Sequence, residues 1–175
     1  FFWRITAQRL LVNNQDIEVV PLLDKLVSKG DVSSIHAMWT LHGLNKLSYE
    51  THNQALISNS ANLRKNAIRA LGLEKKDAQM LYDSAVLADE NPQVRLVAFA
   101  KLAMFEEDKE RNKIATLLMD QPANKEDEWI NIALSASGAE AIDDIEERAD
   151  IDDFKFIFVT VDPDRDTPDR LKEFL

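Results

Sequence analysis

The sequence predicts a mainly α-helical protein of stacked antiparallel helix pairs, followed by a short helix–strand–helix segment of α/β type. Three observations predict this fold: a helical motif that recurs about every 30 residues, a scarcity of turn formers, and one strand-like run near the C terminus. The 175 residues include only 4 glycines and 5 prolines. Sheet proteins with many tight turns need more of both. Hydrophobic residues make up 45 % of the chain, enough for a buried core.

The recurring motif is nine residues long and begins at Trp3, Ser33, Leu63 and Val94, with offsets of 30, 30 and 31 residues. Every copy has alanine fifth and leucine ninth, namely Ala7, Ala37, Ala67, Ala98 and Leu11, Leu41, Leu71, Leu102. Three copies have arginine second, namely Arg4, Arg64 and Arg95, and a weaker fifth copy covers residues 129–133. Because positions one, five and nine lie near one helical face, we predict that the four alanines are buried between neighbouring helices.

A second helical pattern follows each copy, at residues 17–28, 49–58, 77–88 and 109–119. Gly30 ends the first of these, and Asp31 or Ser33 can cap the helix after it. Asn91 and Pro92 are typical of a helix start. Asp108 is the expected cap of the last pattern, and Pro122 ends it. Two helices per 30 residues, joined by short polar turns, predict an α-solenoid of nine or ten helices through residue 137.

The tract IHAMWTLHGL at residues 35–44, together with the repeats, resembles the HEAT-repeat family over residues 1–137. It is similar to HEAT-type segments of large secreted bacterial proteins. In those proteins a sugar-dehydrogenase-like propeller precedes the helices, and a c-type cytochrome module often follows them. The resemblance implies a protein-binding or spacer role and a periplasmic or otherwise extracytoplasmic location. Because the chain opens on Phe1, Phe2 and Trp3 without a methionine, we expect it to be part of a longer protein.

The composition changes near Gly138. Residues 1–138 carry 18 acidic and 16 basic side chains, whereas residues 139–175 carry 13 and 5. The sequence predicts an acidic helix or linker over residues 138–153. Residues 154–161, FKFIFVTV, are the strongest strand candidate in the chain. A helix is predicted from Pro168 onward. Both faces of the strand are apolar, so we expect it to pair with a neighbour, which makes self-association through it possible.

Residues 159–168, VTVDPDRDTP, are similar to the signature of the Sco/SenC copper-chaperone family. The resemblance covers residues 139–175 and implies a fragment of a thioredoxin-like fold. That family binds copper through a Cys-x-x-x-Cys pair and a histidine. Since this chain contains no cysteine, no copper ligand is carried over, and we expect no tight copper binding. Asp162, Arg165 and Asp166 match the motif, and the resemblance implies that they shape the loop after the strand.

No side chain is predicted to be catalytic, to bind a cofactor or to bind a metal. His36 and His42 stand six residues apart, which turns them away from each other on a helix, and His52 is separate. Trp39, Met38 and Leu41 read as core residues rather than as the lining of a ligand pocket. Seven acids of the linker lack the glycine and spacing of a calcium loop, namely Asp143, Asp144, Glu146, Glu147, Asp150, Asp152 and Asp153. We expect no cation at Asp162, Asp164 and Asp166 either.

The net charge of −10 and the pI of about 4.8 argue against nucleic-acid binding. No apolar run is long enough to cross a bilayer. Three functions therefore remain open. The chain is a non-catalytic interaction or spacer scaffold, contacting a protein partner or neighbouring domains of its parent; or it is a structural segment of a periplasmic dehydrogenase or c-type cytochrome; or it is an incomplete Sco/SenC-like copper module. The first needs nothing that the sequence lacks, so it is the function we predict.

Overall fold

The computed structural model of the protein describes residues 2–106 and 109–136, in which it has ten α-helices and no β-strand. The mainly α prediction is confirmed for this part of the chain. The helices are α1 (Phe2–Asn13), α2 (Val20–Val27), α3 (Val32–Gly43), α4 (Tyr49–Leu56), α5 (Ala61–Ala70), α6 (Lys75–Asp83), α7 (Pro92–Met104), α8 (Lys109–Met119), α9 (Pro122–Lys125) and α10 (Glu128–Ser135). The predicted linker, strand and C-terminal helix lie outside the described residues, so the boundary near residue 138 stays a prediction.

The helix boundaries follow local capping chemistry. Asp31, not Ser33, caps α3, because its side chain accepts a hydrogen bond from the backbone N–H of Ser34 at 3.1 Å. Asn91 caps α7 in the same way and Pro92 occupies the first turn, as the sequence predicts. Gly30 follows α2 with a φ of 73°, a left-handed conformation that glycine adopts without strain.

Five helices form one layer, which we call layer A: α1, α3, α5, α7 and α10. Each helix of layer A packs against the next one. The remaining helices lie behind it, with α2 against α3, α4 against α5, and α8 against α10. A 3-10 segment, Ala85–Ala88, takes the corresponding place against α7. Helices at equivalent points of the repeat therefore occupy equivalent positions in the fold.

The repeat register accounts for the core in three of the four copies. Ala37, Ala67 and Ala98 are at most 3 % exposed, which confirms the prediction for them. The prediction for Ala7 is wrong, because its side chain is exposed. No residue of α1 is buried, and among the described helices α1 packs mainly against α3. A small residue is buried only where helices cover it from more than one direction, and α1 has a neighbour on one side.

The predicted helix over residues 77–88 differs from the structure. α6 begins at Lys75 and ends at Asp83, and Ser84 adopts an extended conformation before the 3-10 segment. The Ser84 hydroxyl donates a 2.8 Å hydrogen bond to the carbonyl oxygen of Leu81. This break turns Val86 and Leu87 into the core, where both are buried. Tertiary burial thus overrides a periodicity that alone favours one continuous helix.

The fifth copy of the motif is shifted. Trp129, its first residue, is 65 % exposed, whereas Ile130 and Leu134 of α10 are buried. The buried face of α10 therefore lies one residue later than in the other copies. Within the described part of the chain no helix combines the length and the hydrophobicity that crossing a bilayer requires.

Candidate interaction surface

Polar side chains join the first four helices of layer A, each to the next, at a nearly constant sequence separation. His36 Nδ1 lies 3.0 Å from Gln8 Oε1, across α1 and α3. The indole N–H of Trp39 donates to Asn66 Oδ1 at 2.9 Å, across α3 and α5. Lys65 Nζ donates to Gln93 Oε1 at 2.9 Å, across α5 and α7. We call the surface formed by these six partly buried or exposed side chains the ladder face: Gln8, His36, Trp39, Lys65, Asn66 and Gln93.

The helices that form the ladder face contain no acidic residue. α1, α3, α5 and α7 have basic side chains but no aspartate or glutamate. The pKa of His36 is lowered, chiefly by partial burial. The second cause is the positive charge of Arg4, which lies nearby. Lys65 and Arg69 belong to the same side of α5, because they are four residues apart. Within the described part of the chain Arg4, Lys65 and Arg69 form no ion pair, so three cations lie on or beside the ladder face without a salt-bridge partner.

Two arginines of the repeat motif clamp the starts of the layer A helices. Arg64 donates to both carboxylate oxygens of Asp89, at 2.6 and 2.8 Å, and to the carbonyl oxygen of Ser58 at 2.7 Å. Arg95 makes the equivalent contacts one repeat later, to the carbonyl oxygen of Asp89 at 2.7 Å and to Asn124 Oδ1 at 3.0 Å. Planar, forked guanidinium groups suit such multiple contacts. The arginines therefore fix the start of α5 to the segment before α7, and the start of α7 to α9, just before α10.

The electrostatics of the Arg64–Asp89 pair follow from its partial burial. Burial alone raises the pKa of Asp89, but the hydrogen bonds from Arg64 and from the backbone N–H of Asn91 outweigh it, and the pKa is lowered. Asp89 correspondingly raises the pKa of Arg64. Both groups are charged at neutral pH, so the clamp is an ion pair as well as a set of hydrogen bonds.

Two buried side chains cap the opposite end of α5. His52 Nε2 lies 2.8 Å from the carbonyl oxygen of Ala67, and Lys101 Nζ lies 2.7 Å from that of Leu71. The last turns of a helix leave carbonyls without helical partners, and donors there satisfy them. The amide of Leu71 bonds to Ile68 rather than to Ala67, which leaves the Ala67 carbonyl for His52. Burial lowers the pKa of both His52 and Lys101.

The three histidines have different hydrogen-bond and ring partners, although His42 is near enough to His52 for its charge to lower the pKa of His52. His36 belongs to the ladder face, His42 stacks edge-on against Trp39 with ring centres 5.3 Å apart, and His52 is buried at α5. Within residues 2–106 and 109–136 no group of three or more potential ligand side chains could hold a metal ion. Met38 and Leu41 are fully buried, as predicted for core residues.

In the sequence Arg64 and Arg95 stand out only as a repeated feature, and no sequence pattern points to Asp89 or Lys101. The recurrence of arginine at the second position was the signal for the clamp. The acids of residues 143–153 and Asp162, Asp164, Arg165 and Asp166 lie outside the described residues.

Comparison with known proteins gives one partial match. The SCO1/SenC family matches residues 135–175, less than a quarter of the chain. This match includes the VTVDPDRDTP run and begins at the last residue of α10. No curated protein and no solved structure was found that matches the chain. The chain thus consists of an all-helical part followed by a segment that is similar to SCO1/SenC.

Proposed function

We propose that this protein is a non-catalytic interaction or spacer scaffold, in which residues 1–137 form a HEAT-like α-solenoid. The support is the agreement between repeat and fold. Copies of the motif at offsets of 30, 30 and 31 residues each begin a helix of layer A. Each of these helices packs against the next one, as the units of a solenoid do. Solenoids have extended surfaces, which they commonly use to bind other proteins.

The observation that carries the proposal is the ladder face. Its four helices lack acidic residues, its hydrogen bonds fix the side chains in place, and Trp39 stands in its middle. Aromatic side chains and arginines, fixed in position, are the residues that most often anchor protein interfaces. The positive charge of Arg4, Lys65 and Arg69 selects an acidic protein segment as the partner. Nucleic acid is disfavoured, because three such cations are few against a net charge of −10.

The test is fluorescence anisotropy with a labelled glutamate-rich peptide of about 15 residues, the length of one short interacting segment. Two forms of residues 1–175 are compared: the natural one, and one in which the acids between Glu140 and Asp153 are replaced by their amides to remove their negative charge. We expect saturable binding that weakens as salt is added. The substitutions Arg4→Glu, Lys65→Glu and Arg69→Glu together should abolish it in both chains.

The matched control reverses three exposed charges away from layer A: Lys25→Glu, Lys46→Glu and Lys113→Glu. It should bind the peptide as the parent chain does. Equal loss of binding in both triple variants would show that only net charge matters. Absence of binding by the amide-substituted chain would overturn the proposed function.

The partial family match favours one second candidate, an incomplete copper-chaperone-like module in residues 135–175. The match includes the motif residues Asp162, Arg165 and Asp166, but the chain contains no cysteine. Titration of the full chain with Cu(I) and Cu(II) against a competing chelator decides between the two. Stoichiometric binding that survives the chelator would support the copper module, and its absence supports the scaffold.

A further inference from the structure

One side of α1 exposes large apolar side chains. Phe2, Trp3, Ile5 and Leu10 are all exposed, and Trp3 is 79 % exposed. Because successive residues of a helix are turned by about 100°, Trp3, Ala7 and Leu10 form one stripe along it. Single exposed apolar residues are common, but several on one short helix form a patch that marks an interaction site. We call the surface formed by these five residues the α1 face.

The repeat register shows what the stripe corresponds to in other copies. Trp3 is the first residue of its copy, as Leu63 and Val94 are of theirs, and those two are fully buried. The fifth and eighth positions are likewise buried on α5 and α7 but exposed on α1, namely Ala67, Ala98, Ala70 and Lys101 against Ala7 and Leu10. The α1 face therefore has the pattern of a core face but is open to solvent.

In the later copies a second helical element covers this face. α2 packs on α3, α4 packs on α5, and the 3-10 segment packs on α7. The contact includes the fifth position, because His52 of α4 lies 2.8 Å from the carbonyl oxygen of Ala67. The covering helix contributes aliphatic side chains about one turn apart, such as Leu23 and Val27 of α2. Among the described helices α1 packs mainly against α3, through the side that carries Gln8.

The charge of α1 selects the kind of helix that fits. α1 contains Arg4 and Arg9 but no acidic residue. Arg9 lines an open depression of about 520 Å³ together with Phe2, Ile5 and Thr6. In the described part of the chain neither arginine forms an ion pair. Pairing with the α1 of a second copy would bring like charges together, whereas a helix with acidic residues beside its apolar stripe is complementary.

We propose that the α1 face binds an amphipathic helix of a partner protein, with aliphatic side chains along one side and acidic ones beside them, in the place that α4 takes on α5. The inference uses the repeat register of the proposed solenoid and goes beyond the ladder face. Trp3, Ala7 and Leu10 have the i, i+4, i+7 spacing by which helices are recognised. The small side chain of Ala7 lets the partner helix approach closely, between two large anchors.

Fluorescence anisotropy with a labelled amphipathic peptide tests the proposal on residues 1–175. The probe has about 18 residues, enough for five helical turns, with leucines along one side and glutamates beside them. We expect saturable binding. One control peptide has the same composition with the leucines spread around the helix, and another has lysine in place of glutamate. Each should bind about tenfold more weakly, because it lacks the apolar stripe or the complementary charge.

Variants of the chain locate the binding. Trp3→Ala and Leu10→Ala should each weaken it about tenfold, as loss of an anchor does. The matched control is Trp129→Ala, which removes a similarly exposed tryptophan from α10 and should leave the affinity unchanged. Ala7→Phe enlarges the apolar surface and should nevertheless weaken binding about tenfold, because it holds the helix away from α1. Since the side chains changed on α1 are exposed, these variants should remain folded, which circular dichroism checks.

Three results would overturn the proposal: no binding of the amphipathic peptide, unchanged affinity in Trp3→Ala and Leu10→Ala, or tighter binding by Ala7→Phe. A dimer of the natural chain that Trp3→Ala abolishes, measured by analytical ultracentrifugation, would assign the α1 face to a second copy and overturn it as well.

The ladder face is tested separately. Lys65→Glu with Arg69→Glu should leave binding of the amphipathic peptide unchanged, and Trp3→Ala should leave binding of the glutamate-rich peptide unchanged. Binding of the glutamate-rich peptide alone would retain the proposed function and reject the α1 site. Binding of the amphipathic peptide alone would support the α1 site and reject the ladder face.

Discussion

The ammonium group of Lys101, on α7, donates a 2.7 Å hydrogen bond to the carbonyl oxygen of Leu71, thirty residues earlier at the end of α5. Both residues are buried. The separation is one residue shorter than the 31-residue offset between these two copies, so the bond joins the eighth position of one unit to the ninth position of the unit before it. It satisfies a carbonyl that has no helical partner and places a cation at the negative end of the α5 dipole.

Replacing Lys101 with methionine tests this bond while nearly preserving the aliphatic stem. We expect a loss of about 1–3 kcal/mol in the free energy of unfolding, because the buried Leu71 carbonyl is left unpaired. Urea denaturation followed by circular dichroism measures it. Lys25→Met, at an exposed position, should change stability by about 0.5 kcal/mol or less. Equal effects of the two substitutions would show that the bond contributes nothing.

The Arg64–Asp89 clamp predicts that replacing arginine with lysine costs much more stability at Arg64 than at Arg69. Arg64→Lys keeps the charge but cannot contact both Asp89 oxygens and the Ser58 carbonyl together. We expect a loss of about 1–3 kcal/mol in unfolding free energy. Arg69→Lys, exposed on the same helix, should be nearly neutral. If chemical denaturation shows both variants as stable as the natural chain, the clamp is not stabilising.

Burial of His52 predicts a dependence of stability on pH. Its pKa in the folded protein lies below the ordinary value of 6.5, chiefly because burial penalises the charged form. As pH falls below 6.5 the unfolded chain takes up this proton first, so stability decreases until the folded-state pKa is reached. His52→Gln keeps a donor for the Ala67 carbonyl and removes the titration. The unfolding free energy of this variant should fall less steeply between pH 7 and 5, so the natural chain should lose stability relative to the variant as the pH falls from 8 to 5.

The repeat alanines provide a matched pair. Ala67 is fully buried and Ala7 is exposed, although both are fifth in their copies. Ala67→Leu should destabilise the protein by about 1–3 kcal/mol through overpacking. Ala7→Leu should change stability little. Melting temperatures of the two variants check this, and an unchanged value for Ala67→Leu would refute the repeat register.

We predict that the helices fold without residues 151–175, which include the strand predicted at residues 154–161. Deleting residues 151–175 should leave the helical part folded and improve solubility, because a strand that is apolar on both faces is expected to pair with other chains. Circular dichroism and light scattering on this truncation test the expectation. Loss of the cooperative helical transition would place the segment in the helical core and move the predicted boundary near Gly138.

Local chemistry made many helix boundaries predictable from the sequence. Gly30 ends its helix, and Asn91 with Pro92 begins the next pattern, because caps act within a few residues of the chain. The fifth-position alanines gave the repeat register, since a helical period fixes which residues share a face. The resemblance at residues 139–175 was likewise readable, and the SCO1/SenC match over residues 135–175 overlaps it.

Contacts between repeats were decided by the tertiary structure. The sequence could not show that Arg64 pairs with Asp89, that Lys101 reaches Leu71, or that the ladder face brings Arg4, Lys65 and Arg69 to one surface. The same holds for Ala7 and Ser84. Ala7 has the repeat position that is buried in the other copies but is exposed, and Ser84 interrupts a helical periodicity that the sequence continues. A sequence pattern specifies which face of a helix is apolar, but burial and pairing depend on how many neighbouring helices cover that face.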